Sequence, residues 1–552
     1  MADPRSTRFT FGRNARFARP GDTLLAALSE DGLPTLQRSI RYHRPRAPFC
    51  GVGFCTQCLV RVNGVPNVRA CTYVPRSGDR VVTENAWPSP RHDLLGALDV
   101  LFAQGIDTLR GFRRPRWAMP LYHRVVRRLA GYGELPDATA RPIPPAQKVR
   151  TDVVVVGAGP AGRAAAQRLT EQGLHPLLLD RGPVTAPPEG VDVRPGVTAV
   201  FLPPPSPLDG RFELLADGWS GALSVSAARV LVATGAYDAN LLFAGNDRPG
   251  VMTFEGALAA RDLRGDPPFR RALVVGGGAR AAEVVERFGL HIAAVTAPTS
   301  VDGRIAESAA ELEIAVHPRT LLVATHGRSR VRGAVLRRRG GGERVRLSVD
   351  AVVIAVRRLP HVQLFFQAGA KMHWRGAVGA YYPVLRPDLA TTVPGLFAAG
   401  ESAGFADPVA AEASGVAAAE AVLGREARLS DLPARVAEAG PSEIEGYYRE
   451  LLGVPREGGK SVACPCEDVL LEELHGAHER GYRDIEVIKR YTSLGTGLCQ
   501  GRYCVPEALL LLGLWESRSP SEVGYITQRP PVVPTSLGAL ASVEEPVASG
   551  GP

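Results

Sequence analysis

The sequence predicts a multidomain α/β protein, and three observations support that fold class. At 552 residues the chain is long enough for about three or four domains. Its eight cysteines form two groups of four, one near each end of the chain. Between the groups, an apolar strand runs twice into a glycine-rich turn and then into a helical pattern, which is the signature of a nucleotide-binding α/β unit.

The composition is that of an ordinary globular protein, with 45% hydrophobic and 22% charged residues. No apolar run reaches the ~18 residues that a membrane span needs. The first twenty residues carry arginines but no apolar stretch of signal-peptide length. We therefore expect a cytoplasmic protein, and in such a chain the cysteines are expected to bind metal rather than form disulfides.

The net charge of +9 comes almost entirely from arginine. The arginines are spread along the chain and only 6% of the residues are aromatic, so we predict no nucleic-acid-binding surface of stacked aromatics and basic residues. We interpret the charge as a compositional bias. One basic amphipathic stretch, residues 113–128, either touches a membrane surface or packs as a strap on a neighbouring domain.

The N-terminal cysteines predict an iron–sulfur site. Cys50, Cys55 and Cys58 have the C-x4-C-x2-C spacing of plant-type [2Fe–2S] sites, and Cys71 follows after twelve more residues. Two glycines in the first interval let the backbone wrap closely and aim N–H groups at the cluster sulfurs. A structural zinc site is the alternative, although zinc sites favour two C-x2-C-like pairs and this group has one.

The sequence around this group predicts a ferredoxin-like β-grasp domain over residues 1–95. Residues 21–28 have the pattern of its helix, and residues 59–65 that of a strand entering a turn at Asn63 and Gly64. A helical and proline-rich connector is predicted at residues 96–149.

The C-terminal cysteines predict a second [2Fe–2S] site. Cys464 and Cys466 are separated by one residue, and Cys499 and Cys504 by four. Three glycines between residues 495 and 501 let that loop fold closely around a cluster. Zinc is again the alternative.

The string Cys-Gln-Gly-Arg-Tyr-Cys at residues 499–504 resembles the bacterioferritin-associated-ferredoxin type of [2Fe–2S] domain, over about residues 462–506. Helices are predicted at 467–480 and 484–491. We place a small helical C-terminal domain with its tail at 461–552, after a connector at 426–460.

The central domain, predicted at residues 150–425, opens with the elements of an adenine dinucleotide site. A buried strand at 152–156 leads into a glycine-rich turn and helix, and the next strand ends at an acid that would accept the ribose hydroxyls. The phosphates would bind at the helix N-terminus. The alternative is a Rossmann fold that serves structure alone. The candidate residues are Gly157, Gly159, Pro160, Ala161, Gly162, Asp180 and Arg181.

A second Rossmann-like unit is predicted as an insertion at about 270–360. Its strand at 272–275 enters the glycines of residues 276–278. The next strand, 291–295, is followed by Thr296, Ala297 and Pro298, so it offers neither an acid for a 2′-hydroxyl nor an arginine cluster for a 2′-phosphate. The fold is predicted, while nucleotide binding at this unit stays open.

Two further strings resemble the pyridine-nucleotide-disulfide oxidoreductase class: Ala233-Thr234-Gly235 and Gly400-Glu401. The resemblance implies FAD, with the acid near its ribityl–pyrophosphate region, although Glu401 stands where Asp is usual. The segment after Asp180 is short and lacks the usual Gly-Gly, so FAD, NAD or another adenine nucleotide such as ATP all remain. This domain has no cysteine pair, which excludes disulfide reductase chemistry.

Three strings outside these motifs complete a wider resemblance: residues 38–46, residues 85–89, and residues 527–531 with 537–540. With them the chain resembles the large subunits of heteromeric FAD-dependent amine and imino acid dehydrogenases. That family includes sarcosine oxidase α, opine oxidase A, dye-linked proline and hydroxyproline dehydrogenases and hydrogen cyanide synthase. The aminomethyltransferase-like half of longer sarcosine oxidase α chains is missing, so folate chemistry is not expected.

The resemblance implies an electron-transfer subunit of a cytoplasmic complex. The substrate, a secondary amino acid such as sarcosine, proline, hydroxyproline or an opine, would be oxidised on a partner FAD-dependent amine oxidase subunit of the D-amino-acid-oxidase type, so no catalytic residue is assigned to this chain. FMN would lie at the partner interface, and electrons would leave through two [2Fe–2S] clusters. The alternatives are a stand-alone NAD(P)H-dependent reductase and a non-catalytic scaffold.

Overall fold

A computed structural model describes residues 6–29, 34–90, 92–102, 120, 145–218, 221–426, 443–453 and 459–543. Almost all of the basic stretch 113–128 and most of both predicted connectors lie outside these residues. The chain divides into two compact units. The first unit contains residues 1–139, 238–357 and 443–525, and the second contains residues 140–237, 358–442 and 526–552. No helix among the described residues has the length and apolar character that crossing a bilayer requires.

The first unit begins with the predicted β-grasp sheet. Its helix, Leu24–Leu28, starts after the capping side chain of Thr23 and buries its leucines against the sheet. The predicted turn joins two of the strands, with Asn63 and Gly64 both at positive φ. The five strands, in sheet order, are Asn14–Ala18, Thr7–Phe11, Arg80–Thr83, Leu59–Val62 and Val65–Arg69.

The predicted inserted fold is also in the first unit and is a parallel five-stranded sheet. Its strands are continuous apolar runs, as expected for a parallel sheet covered by helices on both faces. The strands, in sheet order, are Val251–Thr253, Ala351–Ile354, Ala272–Val275, Ile292–Thr296 and Ala315–His317. Its helices are Phe254–Arg264, Ala279–Phe288 and Gly303–Glu311, and a three-stranded sheet follows, formed by Thr320–His326, Gly333–Arg338 and Arg344–Leu347.

The rest of the first unit consists of short helices and two hairpins. The helices include both that the sequence predicts near the C-terminus. One of these begins after Asp484, whose carboxylate accepts hydrogen bonds from two N–H groups of the first turn. The helices are Ala97–Leu101, Glu443–Leu452, Leu471–Glu479, Ile485–Thr492, Val505–Glu516 and Pro520–Val523. Two hairpins are also present, Gln37–Arg38 with Pro45–Arg46, and Val462–Cys464 with Val469–Leu470.

The second unit contains the other predicted dinucleotide fold, a seven-stranded mixed sheet. Six strands follow in the order Asp192–Pro195, Leu177–Asp180, Gln147–Val156, Gly221–Val232, Phe212–Gly218 and Val197–Phe201, and Leu396–Ala398 also pairs with Gly221–Val232. Helices Pro160–Glu171 and Pro408–Val422 lie close together because small residues line their contact. The remaining elements are helices Gln363–Gln367 and Leu537–Ala541 and the hairpin Met372–Arg375 with Ala380–Pro383.

Candidate cofactor sites

The structure brings the four N-terminal cysteines together in the first unit. All four are buried. The Cys50 thiol hydrogen-bonds those of Cys55 and Cys71, and Cys71 also reaches Cys58. The Cys55 N–H donates to the Cys50 sulfur at 3.3 Å. Gly51 adopts φ +67° and packs on the helix Phe254–Arg264, where a side chain would collide with Ala259.

These contacts shift the pKa values of two thiols in the N-terminal group in opposite directions. Burial raises the pKa of Cys50, but hydrogen bonds from Cys55 and Cys71 oppose it and hold that pKa well below its usual value. Burial, and then the neighbouring Cys50, raise the pKa of Cys55 well above its usual value. Four crowded thiols therefore cannot all ionise unaided, and a bound metal centre would supply the compensating charge.

The C-terminal cysteines form a second buried group in the same unit. Cys466 hydrogen-bonds Cys499, and Cys504 hydrogen-bonds Cys464. The contact with Cys466, opposed by burial, lowers the pKa of Cys499 to about 7. At Gly497 a Cβ would lie 2.6 Å from that of Cys466, so glycine allows the loop to close over the thiols.

Each group consists of four cysteine thiols, which are the usual ligands of a [2Fe–2S] cluster. Among the described residues, no three His, Cys, Asp or Glu side chains are arranged around a single metal ion. The thiols of the C-terminal group are linked in two pairs, and those of the N-terminal group form a row in the order Cys55, Cys50, Cys71 and Cys58. Either arrangement is compatible with a two-iron cluster, because its four ligands are divided between two metals.

The glycine-rich turn in the second unit has the shape of a phosphate site. Gly157 has φ +109° and packs so tightly on the carbonyl of Ala233 that any side chain would overlap it. A side chain at Gly162 would overlap the Gly157 carbonyl. Gly159 is exposed, with open space where its Cβ would be, directly before the helix that begins at Pro160. The turn is therefore packed on one side and open at the helix N-terminus.

Asp180 stands beside this turn, as the sequence predicts. One carboxylate oxygen accepts the Ala158 N–H at 2.6 Å, and the other accepts the Gly182 N–H at 2.6 Å. Each oxygen keeps further acceptor capacity for a ribose hydroxyl. Arg181 is exposed. Residues 181–191 contain no helix or strand, and Asp192–Pro195 then pairs directly with Leu177–Asp180, so the segment is as short as the sequence indicates.

The two remaining motifs converge on the same turn. The Ala233 N–H donates to the Val156 carbonyl at 2.8 Å, which extends the strand pairing to the residue before Thr234 and Gly235. A Cβ at Gly400 would lie 3.0 Å from that of Ala161, and one at Gly235 would lie 3.7 Å from the Glu401 carboxylate.

Glu401 has a partner that the sequence motifs do not reveal. Arg358 donates to it twice, at 2.7 Å and 3.0 Å, and donates to the Ala236 carbonyl at 2.6 Å. The pair is about three-quarters buried. The guanidinium therefore neutralises the acid that the family resemblance assigns to the cofactor.

The second dinucleotide fold has a turn that is covered at its middle glycine, Gly277. A side chain at Gly277 would overlap the Ser300 carbonyl, and the Asp302 N–H donates to the Gly277 carbonyl at 2.7 Å. The position that matches Asp180 is Ala297, whose backbone is bonded to His317 and Thr320. The segment 297–302 is thus bonded to Gly277. The residue at the strand end is Ala297, which has no carboxylate.

Comparison with known proteins agrees with this arrangement. Models of four families match: a 2Fe-2S iron-sulfur cluster binding domain at residues 5–86, an FAD binding domain at 150–189, pyridine nucleotide-disulphide oxidoreductase at 208–421 and the sarcosine oxidase A3 domain at 459–544. The alpha subunit of sarcosine oxidase from Rhizobium meliloti is 29% identical over 96% of this chain. The chain is thus similar to the large subunits of sarcosine oxidase and opine oxidase over most of its length.

Further relatives show how much of the chain the similarity covers. Opine oxidase A of Rhizobium meliloti is 26% identical over 72% of this chain and 99% of its own length. The HcnB subunit of hydrogen cyanide synthase from Pseudomonas protegens is 23% identical over 71% of this chain. The chain spans 57% of the sarcosine oxidase polypeptide. L-proline dehydrogenase from P. horikoshii shares the fold, with a TM-score of 0.68, 20% identity and 98% coverage of both chains.

The family matches support iron–sulfur and flavin cofactors for this chain. Two residues that contact the candidate sites, Arg358 and Thr56, were not predicted from the sequence. Arg358 follows an ordinary buried strand, so no local pattern marks it. Thr56 lies inside the cysteine loop, but nothing in that loop indicates that it touches the second group.

Proposed function

We propose that this chain is the electron-transfer subunit of a heteromeric amine or imino acid dehydrogenase complex, an oxidoreductase that acts on CH–NH donors. It would accept electrons from a partner FAD-dependent amine oxidase subunit through a flavin. It would then pass them through two [2Fe–2S] clusters to an external acceptor.

The observation that carries the proposal is one chain with two buried four-thiol groups and an open dinucleotide turn. Oxidation of a C–N bond releases two electrons together, and flavins accept such pairs. A [2Fe–2S] site passes single electrons, so a flavin site combined with two clusters is suited to dividing the pair.

The relatives supply the substrate class. Their names refer to sarcosine, opines and L-proline, which suggests a secondary amino acid such as sarcosine, proline, hydroxyproline or an opine. Oxidation would occur on the partner subunit, as the resemblance to the heteromeric dehydrogenases implies. A cytoplasmic location suits eight cysteines that act as ligands rather than as disulfides.

The first dinucleotide fold would hold FAD, or another adenine nucleotide such as NAD or ATP. The helix that begins at Pro160 would bind the phosphates, and Asp180 would accept the ribose hydroxyls. FMN at the partner interface would complete the chain of carriers. The short segment 181–191, which contains no helix or strand, is the reason that NAD and ATP stand beside FAD as candidates.

The rival function is a stand-alone NAD(P)H-dependent reductase, with the second dinucleotide fold as its nicotinamide site. The segment 297–302 counts against it, because Ser300 covers Gly277 and the Asp302 N–H takes up the Gly277 carbonyl. Ala297 also offers no acceptor for a ribose hydroxyl.

The test is native purification followed by anaerobic reduction. About four irons per chain, two for each [2Fe–2S] site, a bound flavin and a co-purifying subunit with its own dinucleotide fold are expected. Secondary amino acids should bleach the complex, whereas NADH should not. Zinc in place of iron, or rapid reduction of the isolated chain by NADH, would overturn the proposal.

Two matched variants test the assignment of the ligands. Cys55→Ser and Cys499→Ser should each remove one cluster and leave the other, since each changes a thiol of one group only. Iron analysis and visible absorption measure the outcome. An iron content equal to that of the unchanged protein in either variant would show that the assignment is wrong.

A further inference from the structure

The two cysteine loops lie against each other inside the first unit. The ring of Phe49, next to Cys50, meets the ring of Tyr503 edge-on with centroids 5.5 Å apart. The guanidinium of Arg502 lies 4.8 Å from the ring centre of Phe54. These four residues are within two positions of a cysteine, so the packing brings the two groups of thiols close to each other.

Polar contacts join the same loops. Gln57 donates its side-chain amide to the Pro465 carbonyl at 3.4 Å. Arg69 donates to the Cys55 carbonyl at 3.3 Å and to the Leu498 carbonyl at 3.5 Å, so one guanidinium bridges both loops. The bridge carries a positive charge, which suits a place where two groups of thiolates approach.

Thr56 makes the most direct link. Thr56 and Cys466 line one small cleft between the loops, which places the Thr56 hydroxyl beside the Cys466 sulfur. Thr56 is buried, and its carbonyl accepts a hydrogen bond from the Gln37 amide, which holds the backbone in place. Because Thr56 directly follows Cys55, a single residue connects a candidate ligand of one group to a candidate ligand of the other.

We propose that Thr56 is a positioning residue that joins the two cysteine groups into one relay and raises the reduction potential of the C-terminal group. The inference rests on the proposed function, because it requires a cluster in each group. A hydrogen bond to a ligand sulfur favours the reduced state by stabilising the added negative charge. With a cluster held by each group of thiols, an electron that leaves one cluster would reduce the other. The Thr56 hydroxyl would keep its proton, and no bond would break.

The test uses the full chain with Thr56→Val and Thr56→Ser. Valine keeps the shape of threonine and removes the hydroxyl, whereas serine keeps the hydroxyl. Redox titration followed by electron paramagnetic resonance gives the potential of each cluster, and Cys55→Ser identifies the signal of the C-terminal group. Iron and acid-labile sulfide, measured in every sample, report separately on cluster assembly.

Thr56→Val should keep its iron and weaken reduction of the C-terminal cluster by up to about tenfold, equivalent to ~59 mV for one electron. Thr56→Ser should keep the original potential. The fully reduced original protein should show magnetic interaction between two neighbouring clusters. Thr72→Val is the matched control, since Thr72 follows Cys71 but its hydroxyl is exposed and bonds the Arg69 carbonyl.

An unchanged potential in Thr56→Val with full iron would overturn the role of the hydroxyl, and absence of magnetic interaction would overturn the relay. Zinc or missing iron in the original protein would instead show that the proposed function has failed, and the inference with it.

Discussion

The two dinucleotide folds of this chain begin alike and end differently. In both, a buried parallel strand ends at a glycine pressed on the backbone of a neighbouring strand end, Gly157 on Ala233 and Gly276 on Ala355. In the first fold the next strand ends at Asp180, beside an open turn. In the second it ends at Ala297, and the following segment covers Gly277.

The difference shows that a strand–glycine–helix pattern specifies a backbone shape and not a ligand. The shape is stable in both folds because it depends on close packing of small residues. Binding needs in addition an unobstructed helix N-terminus and an acceptor at the next strand end. Only the first fold has both features.

The largest effect should come from Gly159→Val, with Gly278→Val as its matched control. Both glycines have negative φ and open space at the Cβ position, so valine should leave both folds intact. Gly159→Val should weaken nucleotide retention by about 100-fold, or ~2.8 kcal/mol, by obstructing the pyrophosphate. Gly278→Val should change nothing. Chromatography of the released nucleotide measures both, and equal losses would refute the contrast between the folds.

Asp180→Ala should have the next largest effect. Removing the carboxylate leaves the ribose hydroxyls and two backbone N–H groups without an acceptor, which costs about 1–3 kcal/mol of nucleotide binding. Equilibrium dialysis against the identified nucleotide gives the change in affinity. Asp180→Asn, which keeps oxygen acceptor capacity, should lose less. Unchanged affinity in both variants would place the nucleotide elsewhere.

In the second fold we expect the ion pair between Arg280 and Asp238 to have a structural role. Arg280 bonds Asp238, whose side chain is 1% exposed, at 3.0 Å and lies over the Phe254 ring. Arg280→Ala should lower the free energy of unfolding by about 1–3 kcal/mol, because it deprives a buried carboxylate of a charged partner. Thermal unfolding should show the loss while the nucleotide content stays constant. A fall in nucleotide content with unchanged stability would contradict this division of roles.

The smallest effect should come from Glu401→Gln. The pair with Arg358 has side chains that are 22% and 24% exposed, so water screens part of the attraction. Stability should fall by no more than about 1 kcal/mol, since glutamine keeps one hydrogen bond to the guanidinium. A larger loss confined to flavin retention would show that Glu401 contacts the cofactor as well as Arg358.

Local patterns predicted much of the fold and of the candidate sites. The glycines at 157, 159 and 162 act through contacts within their own turn, so the sequence there implies the geometry. The cysteine spacings likewise implied two buried groups. Helix limits differed by a few residues, because capping side chains such as Asp484 decide where a helix begins.

What the sequence by itself determined is therefore the set of local shapes: two glycine turns, two cysteine loops and the elements beside them. The tertiary structure alone decided which of these shapes are open and which touch. Gln57 and Pro465, whose contact helps to join the loops, are 408 residues apart, and Arg358 meets Glu401 across 43 residues. Such pairs have no local pattern, because their contact depends on how whole elements pack.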